Sequence, residues 1–223
     1  MNHPWYLYLL WILVAGVVGF AVTEVCSYRL RIARNLLLVP YVVAVAGLFL
    51  GYLSWSGEDL VSLLAQNWLL GCAGAAVVSV IVVRNVLLQP ASPRGRGLAL
   101  AGEILWAGVA YGVADAVLLS VLPVLAAWQM GTALGWTATW PGKLLAGGLS
   151  VLASVLVTSA YHYGYAEFRG GRMRTAWLGN SIMSLGYLLT TNPITAIFSH
   201  ALMHVTAVLH GPSSTVQLPP HYS

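Results

Sequence analysis

The sequence predicts an all-α membrane protein, a polytopic bundle of about seven transmembrane helices, on the basis of three observations. Hydrophobic residues make up 59% of the 223 residues and charged residues only 7%, whereas a soluble domain has about a quarter of its residues charged. Apolar runs near the length of about 20 residues that crosses a bilayer recur along the chain. Basic residues gather in every second loop. We therefore expect a multi-pass integral membrane protein, in the plasma membrane of a bacterium or an archaeon.

Taken in order, the apolar runs follow one another with short polar connections. They cover residues 5–25, 36–53, 60–83, 98–127, 144–165, 176–189 and 193–209. The fourth run is longer than a bilayer requires, so its helix should tilt, bend or protrude, and the sixth run is short. Residues 1–210 are predicted to form a single transmembrane helical domain. Residues 211–223 form a tail that is too polar and too rich in proline to span.

The basic residues predict the orientation of the bundle. Nine arginines lie in the loops after the first, third and fifth runs, and one lysine lies in an even-numbered loop: Arg29, Arg31, Arg34, Arg84, Arg94, Arg96, Arg169, Arg172 and Arg174 against Lys143. Because Lys and Arg favour cytoplasmic loops, the odd loops are predicted to be cytoplasmic. The N-terminus is then outside and the C-terminal tail is cytoplasmic.

The composition also excludes some classes of protein. The formal charge of +4 does not indicate nucleic-acid binding, because the basic residues are accounted for as loop anchors. Cys26 and Cys72 form neither a disulfide framework nor a CxxC metal motif. Cys72 lies within an apolar run, where we expect a small core residue. No basic residue precedes the first run, so we interpret this run as a transmembrane helix rather than a signal peptide.

Two pairs of glycines have the spacing that lets membrane helices approach closely. These pairs are Gly47/Gly51 and Gly108/Gly112. Small residues four apart lie on one face of a helix and leave room for a neighbouring backbone. Both pairs are predicted to have a packing role.

Five ionisable residues remain inside the predicted spans: Glu103, Asp115, His162, His200 and His204. His200 and His204 lie four residues apart and so share one face of the last helix. Counted from the ends of the runs, Glu103 and the three histidines lie at similar depths near the cytoplasmic side, and Asp115 lies about 18 Å in. Ionisable groups inside a membrane are candidates for function. Each also has a structural alternative: an interfacial histidine at 162, an arginine partner for Glu103, and a helix-packing hydrogen bond for Asp115.

Three short segments resemble the motifs of a known family. Gly102-Glu103-Ile-Leu-Trp-Ala107 resembles E-E-x-x-x-R, Thr158-Ser-Ala-Tyr-His162 resembles F-x-x-x-H, and His200-Ala-Leu-Met-His204 resembles H-x-x-x-N. These motifs are typical of the CAAX-protease and bacteriocin-processing family of intramembrane endopeptidases, also called the ABI family. The resemblance covers residues 97–210.

The chain departs from the family pattern at four positions. The leading glutamate, which the family uses as the general base, corresponds to Gly102, and the arginine corresponds to Ala107. The phenylalanine corresponds to Thr158 and the final asparagine to His204. Glu103, His162 and His200 carry over directly.

The resemblance implies that an activated water attacks a peptide carbonyl, and two versions of this chemistry remain open. Glu103 is the base and His204 replaces the asparagine as a donor, or the carboxylate and the three imidazoles together hold Zn²⁺ or Fe²⁺, which activates the water. The predicted partners are membrane lipids and a peptide or lipidated-peptide substrate from the cytoplasmic leaflet. The alternatives are a catalytically degenerate scaffold that binds or assembles with a membrane protein, and a transporter or proton relay using Asp115 and Glu103. No nucleic-acid partner is expected.

Overall fold

The computed structural model describes residues 3–169 and 171–219, and this part of the chain is helical without strands. The all-α class predicted from the sequence is therefore confirmed for the described residues. Two short 3-10 turns, Trp136–Ala138 and Ala166–Phe168, flank the helix Trp140–Tyr163. The helices are α1 Trp5–Arg29, α2 Arg34–Ser56, α3 Leu60–Ala65, α4 Trp68–Leu87, α5 Gly97–Ala133, α6 Trp140–Tyr163, α7 Met173–Thr190 and α8 Ile194–His210.

Five of these helices are long and apolar enough to cross a membrane, namely α1, α2, α4, α5 and α6. Helix α8 is apolar but has only 17 residues. A set of helices of this kind is compatible with a multi-pass integral membrane protein. The count of seven spans and the orientation of the two termini stay predictions.

Helix α5 is the central helix of the bundle. Within its most apolar stretch 83% of the residues are buried, against 28–39% in the other four long apolar helices. The first half of α5 packs against α8, and its second half packs against α1 and α6. Two stretches of α5, Ile104–Ala110 and Val117–Val121, are wound as π-helix. The extra length predicted for this helix is therefore used to run through the core.

The glycines of α5 set its contact with α8. A Cβ atom at Gly112 would lie 2.6 Å from the Cα of Ala201, and one at Gly108 would lie 2.8 Å from a side-chain carbon of Val205. The two helices are therefore antiparallel and very close, as the spacing of this glycine pair predicts. The other pair does not bring two backbones together, because a Cβ at Gly47 would meet nothing within 4 Å.

The third apolar run is not one helix, so the prediction of a single helix over residues 60–83 is wrong. Asn67 adopts the left-handed conformation, with φ 50°, and separates α3 from α4. Asparagine tolerates this conformation better than most residues, and its side-chain amide donates to the Thr191 hydroxyl at 2.7 Å. The expectation that Cys72 is a core residue is also wrong, because its side chain lies on the exposed face of α4.

Candidate functional site

A cavity of about 260 Å³ lies among α4, α5, α7 and α8. Its lining includes the three histidines that the sequence singled out, His162, His200 and His204. Three residues of α5, Tyr111, Asp115 and Leu119, also line it. The structure thus brings the three imidazoles together with a carboxylate, and this carboxylate belongs to Asp115.

The Asp115 carboxylate and the His204 imidazole form a deeply buried polar contact in the cavity wall. Oδ2 of Asp115 lies 3.2 Å from Nε2 of His204, and the two residues are 4% and 1% exposed. The two atoms do not meet the geometry of a hydrogen bond, so they form a close polar contact that is ionic only when His204 is protonated. The other carboxylate oxygen, Oδ1, accepts a hydrogen bond of 2.5 Å from the hydroxyl of Tyr41 on α2. Both oxygens of the buried acid are therefore compensated.

The antiparallel packing of α5 and α8 explains why these two side chains meet. The close contacts put Val205 level with Gly108 and Ala201 level with Gly112. Side chains on a helix lean toward its N-terminus. Asp115 therefore leans back along α5, toward the level of Gly112. His204 leans in the opposite direction in space, so the polar atoms of the two side chains converge between the levels of their own Cα atoms.

The other two imidazoles differ in their hydrogen bonding. Nδ1 of His162 lies 2.9 Å from the carbonyl oxygen of Thr158. Because a carbonyl only accepts, Nδ1 carries the hydrogen and Nε2 of the neutral ring is left as the acceptor. The ring of His200 stacks nearly parallel to that of His204, with centroids 6.2 Å apart. Nδ1 of His200 and Nδ1 of His204 are both buried without a hydrogen-bond partner.

A row of tyrosine hydroxyls runs beside the acid. The hydroxyl of Tyr111 lies 2.7 Å from that of Tyr161, which lies 3.1 Å from that of Tyr165. The Tyr111 ring also packs on His204, with centroids 4.6 Å apart. The row connects the middle of α5 to the segment that follows α6.

Glu103, which the sequence placed with the histidines, does not line the cavity. Its carboxylate lies near Gly95 and within electrostatic range of Arg34, and Oε2 is buried without a hydrogen bond. The register of α5 against α8 is the reason. Glu103 is level with the end of α8 near His210, and it is about 18 Å along α5 from Asp115.

The side chains as arranged do not form a coordination sphere for the expected zinc or iron. Imidazole nitrogens bind Zn²⁺ at about 2.0–2.1 Å, which the nearly parallel, separated rings of His200 and His204 do not favour. Within residues 3–169 and 171–219, no group of three or more His, Cys, Asp or Glu side chains is placed to hold a metal ion. The metal site therefore stays a prediction.

The cavity opens sideways between α4 and α7. Ile81 and Asn85 on one helix and Thr175 and Leu178 on the other line it and are exposed. Glu167, in the short turn after α6, also belongs to the lining, and burial raises the pKa of its carboxyl despite the opposing charge of Arg172. The opening is thus apolar along the helices and polar at one end.

Fold and site together define an all-helical protein with five candidate membrane-spanning helices and a buried Asp–His pair in a laterally open cavity. No protein-family model, curated protein or solved structure matches the chain. The resemblance to the CAAX-protease and bacteriocin-processing family therefore rests on the short motifs alone.

The sequence analysis did not identify the tyrosines beside the cavity, and it did not place Asp115 with the histidines. The pattern offers one indication that could have corrected this. Gly108 and Gly112 precede Asp115 on the face of α5 that meets another helix, which points the acid toward that neighbour. Tyr41 and Tyr161 carry no comparable indication, because aromatic residues are common throughout the chain.

Proposed function

We propose that this protein is a membrane-embedded hydrolase that uses the Asp115–His204 pair to activate water against a peptide bond. The observation that supports this most is the buried carboxylate 3.2 Å from an imidazole in the wall of a cavity that holds two further imidazoles. An imidazole oriented by a carboxylate is a common general base in proteins. The resemblance to the intramembrane endopeptidases supports the same class of reaction.

In this mechanism His204 accepts the proton and Asp115 stabilises the charge that results. Nε2 of His204 faces the carboxylate, so the unpartnered Nδ1 is the atom that takes a proton from water. The hydroxide oxygen bonds to the carbonyl carbon of the substrate. When the C–N bond breaks, the same proton passes to the leaving amine. The Tyr41 hydroxyl keeps the carboxylate in place through its hydrogen bond to Oδ1.

His162 and His200 are assigned the role of stabilising the carbonyl oxygen of the substrate. Negative charge develops on this oxygen in the tetrahedral intermediate, and nearby N–H donors stabilise it. A histidine held through its Nδ1 hydrogen bond, as His162 is, presents Nε2 in a defined direction and donates from it when protonated. The lateral opening between α4 and α7 suits a peptide or lipidated peptide that enters from the leaflet.

The test compares cleavage of a prenylated peptide and its unmodified counterpart by purified protein in detergent. His204→Gln and Asp115→Asn should each lower the cleavage rate by about 10²–10⁴-fold, the usual contribution of a general base. Glu103→Gln is the matched control, because it alters an acid of the same helix that does not line the cavity. We expect it to cleave at nearly the wild-type rate.

Three outcomes would overturn the proposal. Cleavage that persists in His204→Gln would remove the imidazole as base, and loss of cleavage in Glu103→Gln alone would return that role to Glu103. If the wild-type protein cleaves neither peptide while binding one of them, a non-catalytic binding protein on the same scaffold replaces the hydrolase.

A proton relay is the second candidate, and the row of tyrosine hydroxyls favours it. Hydrogen-bonded phenols at 2.7 and 3.1 Å link Tyr111, one turn from Asp115, to Tyr165 at the end of the bundle. Protein reconstituted in vesicles with an internal pH-sensitive dye would then conduct protons. Tyr161→Phe interrupts the row, so it should abolish this flux; equal flux in the variant and the wild type would exclude the relay.

A further inference from the structure

Residues 211–219 turn back from the end of α8 and finish inside the lining of the cavity. Val216, Gln217, Leu218 and Pro219 contribute to the same wall as His200 and the other two imidazoles. This segment is not helical beyond short turns. A non-helical piece of the chain therefore forms part of the wall of the cavity in which the proposed hydrolase would hold its substrate.

Gln89, in the loop that follows α4, holds this segment through both polar atoms of its side-chain amide. Oε1 of Gln89 accepts from the main-chain N–H of Val216 at 3.0 Å, and its Nε2 donates to the side-chain oxygen of Gln217 at 2.8 Å. The hydroxyl of Ser214 donates to the carbonyl of Pro90 at 2.5 Å. These contacts all come from the loop that follows α4. The contact to Val216 involves a main-chain group that any peptide carries, and the other two involve the side chains of Gln217 and Ser214.

The segment has a single large apolar side chain that is fully buried. Leu218 is 3% exposed and lies against the cavity, whereas Val216 and Gln217 are half-buried. Apolar side chains such as Ile182 and Met203 also line this cavity. A leucine in an apolar pocket is stabilised by the area it removes from water. Residues 215–219 are thus held by the buried side chains of Thr215, Leu218 and Pro219 and by the hydrogen bonds from Gln89. A short segment with so few contacts can be displaced locally without unfolding the bundle.

We propose that residues 215–219 occupy the part of the cavity that binds the substrate, here called the substrate groove, so that the groove binds a peptide and the tail closes it. The ligand class is a peptide with a leucine-like side chain in the position of Leu218 and an amide side chain before it that pairs with Gln89. That this groove is a substrate groove rests on the proposed function. That the tail covers it and that a peptide can replace the tail are tested without any measurement of cleavage.

The experiment measures how fast a cysteine in the cavity reacts with a soluble maleimide, using purified protein in detergent. Cys26 and Cys72, neither of which is in a disulfide, are changed to serine, and Met203→Cys supplies the probe in the cavity. Leu218→Ala should raise the labelling rate by about tenfold, because it removes most of the apolar contact that holds the segment. Truncation after Pro212 should raise the rate at least as much.

Leu88→Ala is the matched control, since it removes the same atoms from a leucine next to Gln89 that is 75% exposed. It should leave the labelling rate unchanged. A synthetic peptide of residues 212–219 added to the truncated protein should restore the slow rate, which only a folded groove can do. The same peptide with Leu218 replaced by aspartate should not.

Equal labelling in the full chain, the Leu218→Ala variant and the truncated chain would overturn the proposal. Faster labelling that the added peptide does not reverse would also overturn it, because the tail would then be a packing element and the groove would not bind peptides. If labelling behaves as expected but no peptide is cleaved, the occupied groove stands and the hydrolase is wrong.

Discussion

Replacing Gly112 by alanine should force α5 and α8 apart. The new Cβ atom would lie 2.6 Å from the Cα of Ala201 and 3.1 Å from both the nitrogen of Ala201 and the carbonyl oxygen of His200. All three neighbours are backbone atoms, so no side chain can turn away to make room. Carbon atoms pack at about 3.5–4.0 Å, so the helices must separate by about 1 Å.

The magnitude follows from a comparison with Gly102→Ala in the same helix, where a Cβ atom would meet nothing within 4 Å. Both variants gain about 1 kcal/mol from the higher helix propensity of alanine, so this gain cancels in the comparison. The remaining difference is the cost of overpacking, about 1–3 kcal/mol. At about 2–4 °C per kcal/mol for a chain of this size, Gly112→Ala should melt about 2–12 °C below Gly102→Ala.

The assay is thermal unfolding in detergent, followed by tryptophan fluorescence and by the loss of the monodisperse peak in gel filtration. The separation of the helices also draws Asp115 away from His204, so any cleavage activity should fall in Gly112→Ala and not in Gly102→Ala. Equal melting temperatures for the two variants would refute the close packing of α5 on α8, and with it the geometry of the site.

Three further predictions concern single acidic residues. Asp115→Ala leaves the Tyr41 hydroxyl and a buried imidazole unpaired, so the free energy of unfolding measured with denaturant should fall by about 3–5 kcal/mol; Asp115→Asn, which keeps an acceptor, should lose less. The backbone N–H of Ser62 donates to the Asp59 carboxylate and lowers its pKa. The folded state then binds fewer protons than the unfolded state as the pH falls. This helix cap is therefore intact above the ordinary pKa of aspartate and is lost as the pH falls through the lowered pKa of Asp59. Amide exchange of Ser62, corrected for the intrinsic rate, should accelerate there and should be fast at every pH in Asp59→Ala. Burial raises the pKa of Glu167, so the contribution of this residue to stability is fully present below its ordinary pKa and is lost as the pH rises through the raised value. Glu167→Gln should remove this part of the pH dependence of the melting temperature, and an unchanged profile would contradict the assignment.

The long helices were predictable because apolar runs reflect burial and membrane contact directly. Helices α1, α2 and α6 begin and end within a few residues of the predicted runs. The break between α3 and α4 was not predictable from hydropathy, since apolar stretches stand on both sides of the two polar residues Gln66 and Asn67. It depends on a hydrogen bond to Thr191, which is distant in the sequence.

The site was predictable in part, for a related reason. The shared face of His200 and His204 follows from helical geometry alone. The choice between Glu103 and Asp115 as their acid depends on how far α5 slides along α8, and the ends of apolar runs do not determine this offset. The glycine contacts determine it, because they permit close approach only where Gly108 and Gly112 face Val205 and Ala201.

The π-helical stretch Ile104–Ala110 makes that part of α5 tolerant of a deletion. A π turn contains one residue more than an α turn. If one residue such as Val109 were deleted, the stretch could rewind as ordinary α-helix, and the side chains beyond it would keep their faces. Asp115 would still face His204. A deletion within the α-helical stretch Tyr111–Ala116 would not be absorbed in this way, and it would turn the side chains on one side of it by about 100° around the axis. The place of a deletion along α5 would thus decide whether the acid stays with its imidazole.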